Sequence, residues 1–167
     1  RMEREHIFVF LEDAMKHILL FQLDMVRQWS IELAESCPAD LAEKRAAPFN
    51  NTIRWQFGHI LTVAERMLFQ HPKQESMLPA AFSEWFEAGT SPDAWNETTP
   101  NLAELTTLLK DQHARLLAIR PEQFGERFDR PYYGFRSYGE CAGFVVMHES
   151  LHLGKVEEML RVLRGRP

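Results

Sequence analysis

Residues 145–159 read Val145-Val146-Met147-His148-Glu149-Ser150-Leu151-His152-Leu153-Gly154-Lys155-Val156-Glu157-Glu158-Met159. Val145, His148, His152, Val156 and Met159, continued by Leu163, recur at helical spacing and form one stripe. Such a stripe is the face a helix buries, so two imidazoles stand where apolar side chains are expected. Four residues apart, they project from the same side of the helix, one turn from each other. Upstream, Ser137-Tyr138-Gly139-Glu140 matches a capping box, in which hydroxyl and carboxylate satisfy amides left unpaired at a helix start. Gly165 and Pro167 supply the stop.

Outward from this helix the chain reads as three more. From Glu5 to about Ser36, Leu19, Leu23, Val26, Ile31 and Leu33 recur at helical spacing, as one long helix or two in succession. Cys37-Pro38-Ala39-Asp40 breaks it, with room for a short turn over Asp40 to Lys44. Asn50, Asn51 and Thr52 are cap candidates for a second helix through Trp55, His59, Val63 and Met67, ending at His71-Pro72. Pro72 to Pro100 reads as a long crossover holding one or two short helices. Thr99-Pro100 looks like a cap and first helical position for a third helix, whose buried stripe is Leu102, Leu105, Leu109, Leu116 and Leu117 and which Pro121 closes. Phe124 to Arg136, with Tyr132, Tyr133 and Gly134, is expected to be an aromatic loop at the rim of a pocket. No convincing strand pattern appears. The fold class expected is all-α, a four-helix bundle with a long crossover between helices 2 and 3, as one domain over residues 1–167.

The chemistry lies in the histidines. His59 is in line with Trp55, Val63 and Met67, so it too faces inward, and a bundle can bring it opposite His148 and His152. Three neutral imidazoles would then hold one divalent transition metal and leave a coordination position open. Imidazole suits zinc, nickel, copper and iron, and spacing does not choose among them. Glu149, Glu65 and backbone carbonyls are candidates to hold the second ring nitrogens. A metal there could activate water as hydroxide for a hydrolase, or hold a thiol substrate as thiolate. Against this stands the bland reading, in which HxxxH arises by chance and the buried rings are satisfied by carbonyls or carboxylates. His148-Glu149-Ser150-Leu151-His152 also spells the H-E-x-x-H of zinc proteases. That reading needs a downstream ligand, for which only Glu157 or Glu158 is available, and an edge strand for the peptide. His6, His17, His113 and His71 read as surface or helix-end residues. Trp55, Trp85 and Trp95 read as core, and Arg136 as a surface residue with the option of meeting an anionic substrate.

Composition excludes some classes. A formal net charge of -5 works against sequence-independent nucleic-acid binding, and the basic group Arg161, Arg164 and Arg166 suits the end of a last helix. No stretch reaches the roughly 18 to 20 apolar residues of a membrane span, and the opening Arg1-Met2-Glu3-Arg4-Glu5 lacks a signal-peptide core. Cys37 and Cys141 are too few for a disulfide framework, so a cytoplasmic location is expected.

Asn51-Thr52-Ile53-Arg54-Trp55-Gln56-Phe57-Gly58-His59-Ile60, and Ser137-Tyr138-Gly139-Glu140 through Phe144, His148-Glu149-Ser150-Leu151-His152-Leu153-Gly154-Lys155 and Leu160-Arg161, resemble the second and fourth helices of the DinB/YfiT-like family. The resemblance runs from about His17 to Gly165, leaving residues 1–16 as an N-terminal helical extension. It implies an up-down-down-up bundle, a three-His metal site at His59, His148 and His152 holding zinc or nickel, and a homodimer. Related members transfer a low-molecular-weight thiol such as bacillithiol or mycothiol to a small electrophile, or act as a thiol-dependent maleylpyruvate isomerase. The expected partner is therefore a small-molecule substrate, with a non-catalytic metal-binding stress-response protein as the rival from another class.

Overall fold

In the computed structural model, residues 2–70 and 75–165 are described, with side chains from residue 14 onward. His71, Pro72, Arg166 and Pro167 lie outside the described residues, as does the side chain of His6. The first helix is a single one, α1 (Met2–Ser36), followed by a short α2 (Ala39–Ala42). Thr52 starts α3 (Ile53–Leu68), its hydroxyl accepting from the Trp55 N–H at 3.2 Å. The crossover contains α4 (Phe82–Phe86) and a 3-10 turn at Pro92–Ala94.

The cap of α5 (Leu102–Leu117) differs from the sequence reading. Asn101 opens it rather than Thr99, accepting from Glu104 N–H at 3.0 Å while Glu104 accepts from Asn101 N–H at 2.7 Å. This reciprocal pair satisfies two amides at once, and Pro100 precedes the cap. A second correction concerns the expected aromatic loop. After a 3-10 turn at Pro121–Gly125, the chain forms a hairpin of β1 (Arg127–Tyr132) and β2 (Phe135–Ser137). Its turn residues Tyr133 and Gly134 both have positive φ, 49° and 88°, the backbone demanded by the tightest hairpin turns. α6 (Tyr138–Leu163) follows directly, capped by Ser137 accepting from Glu140 N–H. The Glu140 carboxylate reaches the Arg136 N–H at 2.6 Å.

The four long helices touch in a closed ring, with α1 and α3 each packed on α5 and α6. Named contacts fix their directions. Tyr138, His148 and His152 of α6 meet Leu68, His59 and Gln56 of α3 in that order, so these two run antiparallel. Leu19 lies against Gly139 and Gly143, and Arg27 against Glu149, so α1 and α6 run together. Two apolar clusters fill the interior, one including Phe57, Leu105 and Met159, the other Leu23, Leu116 and Val145. In α5 Gln112 falls between Leu109 of the first and Leu116 of the second, and in α6 Glu149 falls between Val145 and Leu153.

Those two polar residues belong to a buried chain. The fully buried Arg27 donates to both Glu149 oxygens at 2.8 and 3.0 Å and to Gln112 at 2.7 Å. Ser30 donates to Glu149 at 2.5 Å, Gln112 donates to Glu65 at 2.8 Å, and Arg115 donates to Glu65 at 2.7 Å. Taking ions out of water is costly, and geometry of this completeness offsets the penalty. The set links α1, α3, α5 and α6 and fixes how α6 is rotated. Among the described residues no helix is long and apolar enough to cross a membrane.

Candidate metal centre

Antiparallel packing of α3 on α6 brings His59, His148 and His152 together. One ligand-capable nitrogen from each lies within 4.8 Å of the others. His59 and His152 are buried and His148 is half-buried. The Nε2 atoms of His59 and His148 are 3.1 Å apart, and the His152 ring centre is 4.8 Å from His59 and 4.4 Å from His148. The indole of Trp55, one turn before His59, stacks on that ring at 4.6 Å and 13°.

Two rings are oriented from behind. Nδ1 of His59 donates to the Phe86 carbonyl at 2.6 Å, and Nδ1 of His152 donates to Oε1 of Gln56 at 2.5 Å. With the proton held on Nδ1, the Nε2 lone pair of each ring is free to face the shared centre. The Phe86 carbonyl arrives there because Gly58 lets the Phe86 ring press on α3. A Cβ at Gly58 would sit 2.2 Å from that ring.

Burial is the first cause of depressed basicity in all three. The His148 imidazole is pushed down to about 4, with His59 and Lys155 adding to the decrease, and His152 to about 3, with His148, His59 and Lys155 adding. His59 is lowered by burial against the opposing effect of the Phe86 carbonyl, with Arg66 and Lys155 adding to the decrease. At neutral pH the centre therefore presents three uncharged imidazoles. Convergent, neutral and held by tautomer, they have the donor chemistry that a divalent transition metal requires, and the residues fit such an ion.

The carboxylates named from sequence are elsewhere. Glu149 is about 100° round α6 from His148 and is consumed by Arg27 and Ser30, and Glu65 by Gln112 and Arg115. The second-nitrogen partners are instead the Phe86 carbonyl, one of the expected kind, and Gln56, which sequence reasoning missed. Gln56 was detectable in principle, lying three residues before His59 on the same helix. The HExxH match is thus one of letters, because its Glu faces α1.

The remaining candidates divide simply. Trp55 and Trp85 are buried, and the Trp95 indole donates to the Trp85 carbonyl at 3.1 Å. Tyr133 is exposed below the Arg66 guanidinium, which pairs with Glu87. The Arg136 side chain is exposed. His113 meets Asp24 at 2.7 Å, away from the centre. Cys37 and Cys141 are free and buried, their thiols pushed up to about 11 by desolvation.

A solved structure, described as the crystal structure of the conserved protein of locus from Enterococcus faecalis, is similar to this chain with a TM-score of 0.58 and 16% identity. The similarity covers 90% of this chain and 97% of that one, a likeness of fold. No curated protein matches the chain in sequence. The sequence profile of the DinB superfamily matches residues 22–156, most of the chain. From the profile match over these helices, the chain belongs to the DinB superfamily.

Proposed function

We propose that this protein is a metal-dependent enzyme in which His59, His148 and His152 hold one zinc or nickel ion and a low-molecular-weight thiol is activated for transfer to a small electrophile. The helices are those of a four-helix bundle in up-down-down-up order, a reading supported by α3 running against α6, α1 running with α6, and α5 running against α1, with His113 at Asp24 and Lys110 at Glu35. The observation that carries the function is the convergence of three neutral imidazoles without a protein carboxylate as fourth ligand among the described residues. Three protein ligands leave room for an exogenous one.

When bound, the ion supplies positive charge that favours a thiol as its thiolate near neutral pH. The chain's own residues do the rest. Phe86 and Gln56 keep protons on the outer nitrogens of His59 and His152, Trp55 covers one face of His59, and the half-buried His148 marks the side from which a small molecule enters. A hydrolase reading has less support, because Glu149, the carboxylate that would act as general base, is locked in the pair with Arg27. Thiol transfer needs no such base if the thiolate is already formed.

The homodimer is part of the same proposal. Exposed Met15, Ile18 and Trp29, with half-buried Met25, lie at three-, seven- and four-residue intervals along one side of α1. That stripe suits a second copy of the chain.

Metal content of protein purified without a metal-affinity step tests the centre, beside His148→Ala/His152→Ala. About one equivalent in the parent and near none in a folded variant supports the centre, and thiol-dependent consumption of an electrophile such as a chloronitrobenzene supports the activity. No metal in either protein after supplementation sinks both.

A further inference from the structure

The cations around the centre are not equivalent. Arg66, seven residues after His59 on α3, is paired with Glu87 and lies over Tyr133. Lys155 is seven residues after His148 and three after His152, so it shares their face of α6 within about a turn. Because the two helices are antiparallel, Arg66 and Lys155 stand at opposite ends of the histidine cluster. Lys155 is exposed, and no hydrogen bond or ion pair engages its ammonium among the described residues. Neighbouring Glu158 is occupied by Arg161 at 2.6 Å. The field of Lys155 reaches all three imidazoles and lowers their basicity. Between His148 and Lys155 on the same side is Leu151, 61% exposed.

These placements give the mouth of the centre a direction. One end is electrically closed by the Arg66–Glu87 pair, and the other carries an uncompensated positive charge beyond a short apolar step. We propose that Lys155 is a specificity residue that receives the carboxylate of the thiol ligand, so that the centre selects short anionic thiols over neutral or cationic ones. The inference rests on the metal-thiol reading above. The axial rise from His152 to Lys155 is about 4.5 Å, which suits a carboxylate a few bonds from the sulfur. The side chain is a flexible point charge, so the preference is one of charge rather than of bidentate shape.

The full-length chain loaded with Co(II) provides the test. Dissociation constants for 3-mercaptopropionate, 2-mercaptoethanol and cysteamine are read from the cobalt–thiolate absorption band in the parent, Lys155→Gln and Lys155→Arg. The ratio of constants favouring 3-mercaptopropionate over 2-mercaptoethanol is expected to fall about fivefold in Lys155→Gln, on the scale of an exposed charge pair. It should survive in Lys155→Arg, shrink with added salt in the parent, and be accompanied by improved cysteamine binding in Lys155→Gln. Cobalt affinity without thiol stays within about twofold in all three proteins. An unchanged ratio in Lys155→Gln, with all three thiols still binding, overturns the role of Lys155 and leaves the thiol reading standing. Failure of cobalt to load, or of any thiol to alter the cobalt spectrum, overturns both.

Discussion

Lowering pH from 7 to 5 should destabilise the metal-free protein through its histidine cluster. His148 and His152 titrate near 4 and 3 in the fold, against an ordinary value of 6.5. Between those limits the unfolded chain binds protons that the folded chain refuses, so stability is complete above about 6.5 and declines as pH falls toward the folded values. At pH 5 the loss is set by the unfolded value alone, about 1.5 pH units at about 1.4 kcal/mol each, or about 2 kcal/mol per ring. Two rings give about 4 kcal/mol. Their contact with each other and the partial exposure of His148 reduce this, so about 2 to 4 kcal/mol is expected. Urea unfolding at half-unit pH steps, with a chelator present, measures the loss directly. His148→Leu/His152→Leu removes these groups while leaving His17, His113 and the carboxylates as the common background. The stability of the parent relative to the variant should fall by about 2 to 4 kcal/mol as pH goes from 7 to 5. Parallel profiles for the two proteins between pH 7 and 5 would refute the claim that the fold keeps these rings neutral.

Glu149→Ala leaves Arg27 buried without its charge partner and should lose about 3 to 5 kcal/mol in urea unfolding; a loss under 1 kcal/mol would show that the pair is dispensable. Gly58→Ala drives a methyl into the Phe86 ring, buried with no room to yield, and should cost about 1 to 3 kcal/mol and weaken metal binding by displacing the Phe86 carbonyl. Competition with a chromogenic chelator reads the second effect, and unchanged affinity would uncouple that carbonyl from the site. Gln56→Leu frees the His152 tautomer and should weaken metal affinity about 10- to 100-fold by the same assay while the protein remains folded. Trp29→Glu places a charge on the exposed stripe of α1 and should shift a dimer to monomer in light scattering, with a folded chain that is monomeric before and after the change counting against the dimer.

What the sequence made legible follows from periodicity. The four long helices could be placed because their buried faces repeat over many turns, and His59, His148 and His152 could be assigned to inner faces for the same reason. Thr52 and Ser137 were recognisable caps. Asn101 was equally recognisable, since Asn101-Leu102-Ala103-Glu104 spells a capping box, but the neighbouring Thr99-Pro100 offered a competing pattern. The hairpin was hidden because Pro131 interrupts β1 and the positive-φ turn is Tyr133-Gly134 rather than a pair ending in Gly after Asn or Asp. The Arg27–Glu149 pair was hidden for a different reason. Charged letters are ordinarily read as solvent-facing, although Arg27 follows Leu23 and Val26 in the buried stripe of α1. A carbonyl partner was expected in kind, but that it is Phe86 could not be read, because a backbone group acting from a crossover leaves no side-chain signature.

The two cysteines give the fold an internal clock. Cys37 belongs to one apolar cluster and Cys141 to the other, both are buried, and both thiols resist ionisation at neutral pH. The chain thereby withholds these two nucleophiles from alkylation while folded. Whenever part of the core opens, the thiol in that part becomes reactive, so the rate of labelling at each position counts openings of its own cluster. Mass spectrometry of the two labelled sites would then show whether the two halves of the interior loosen together or separately, without any residue being introduced into the protein.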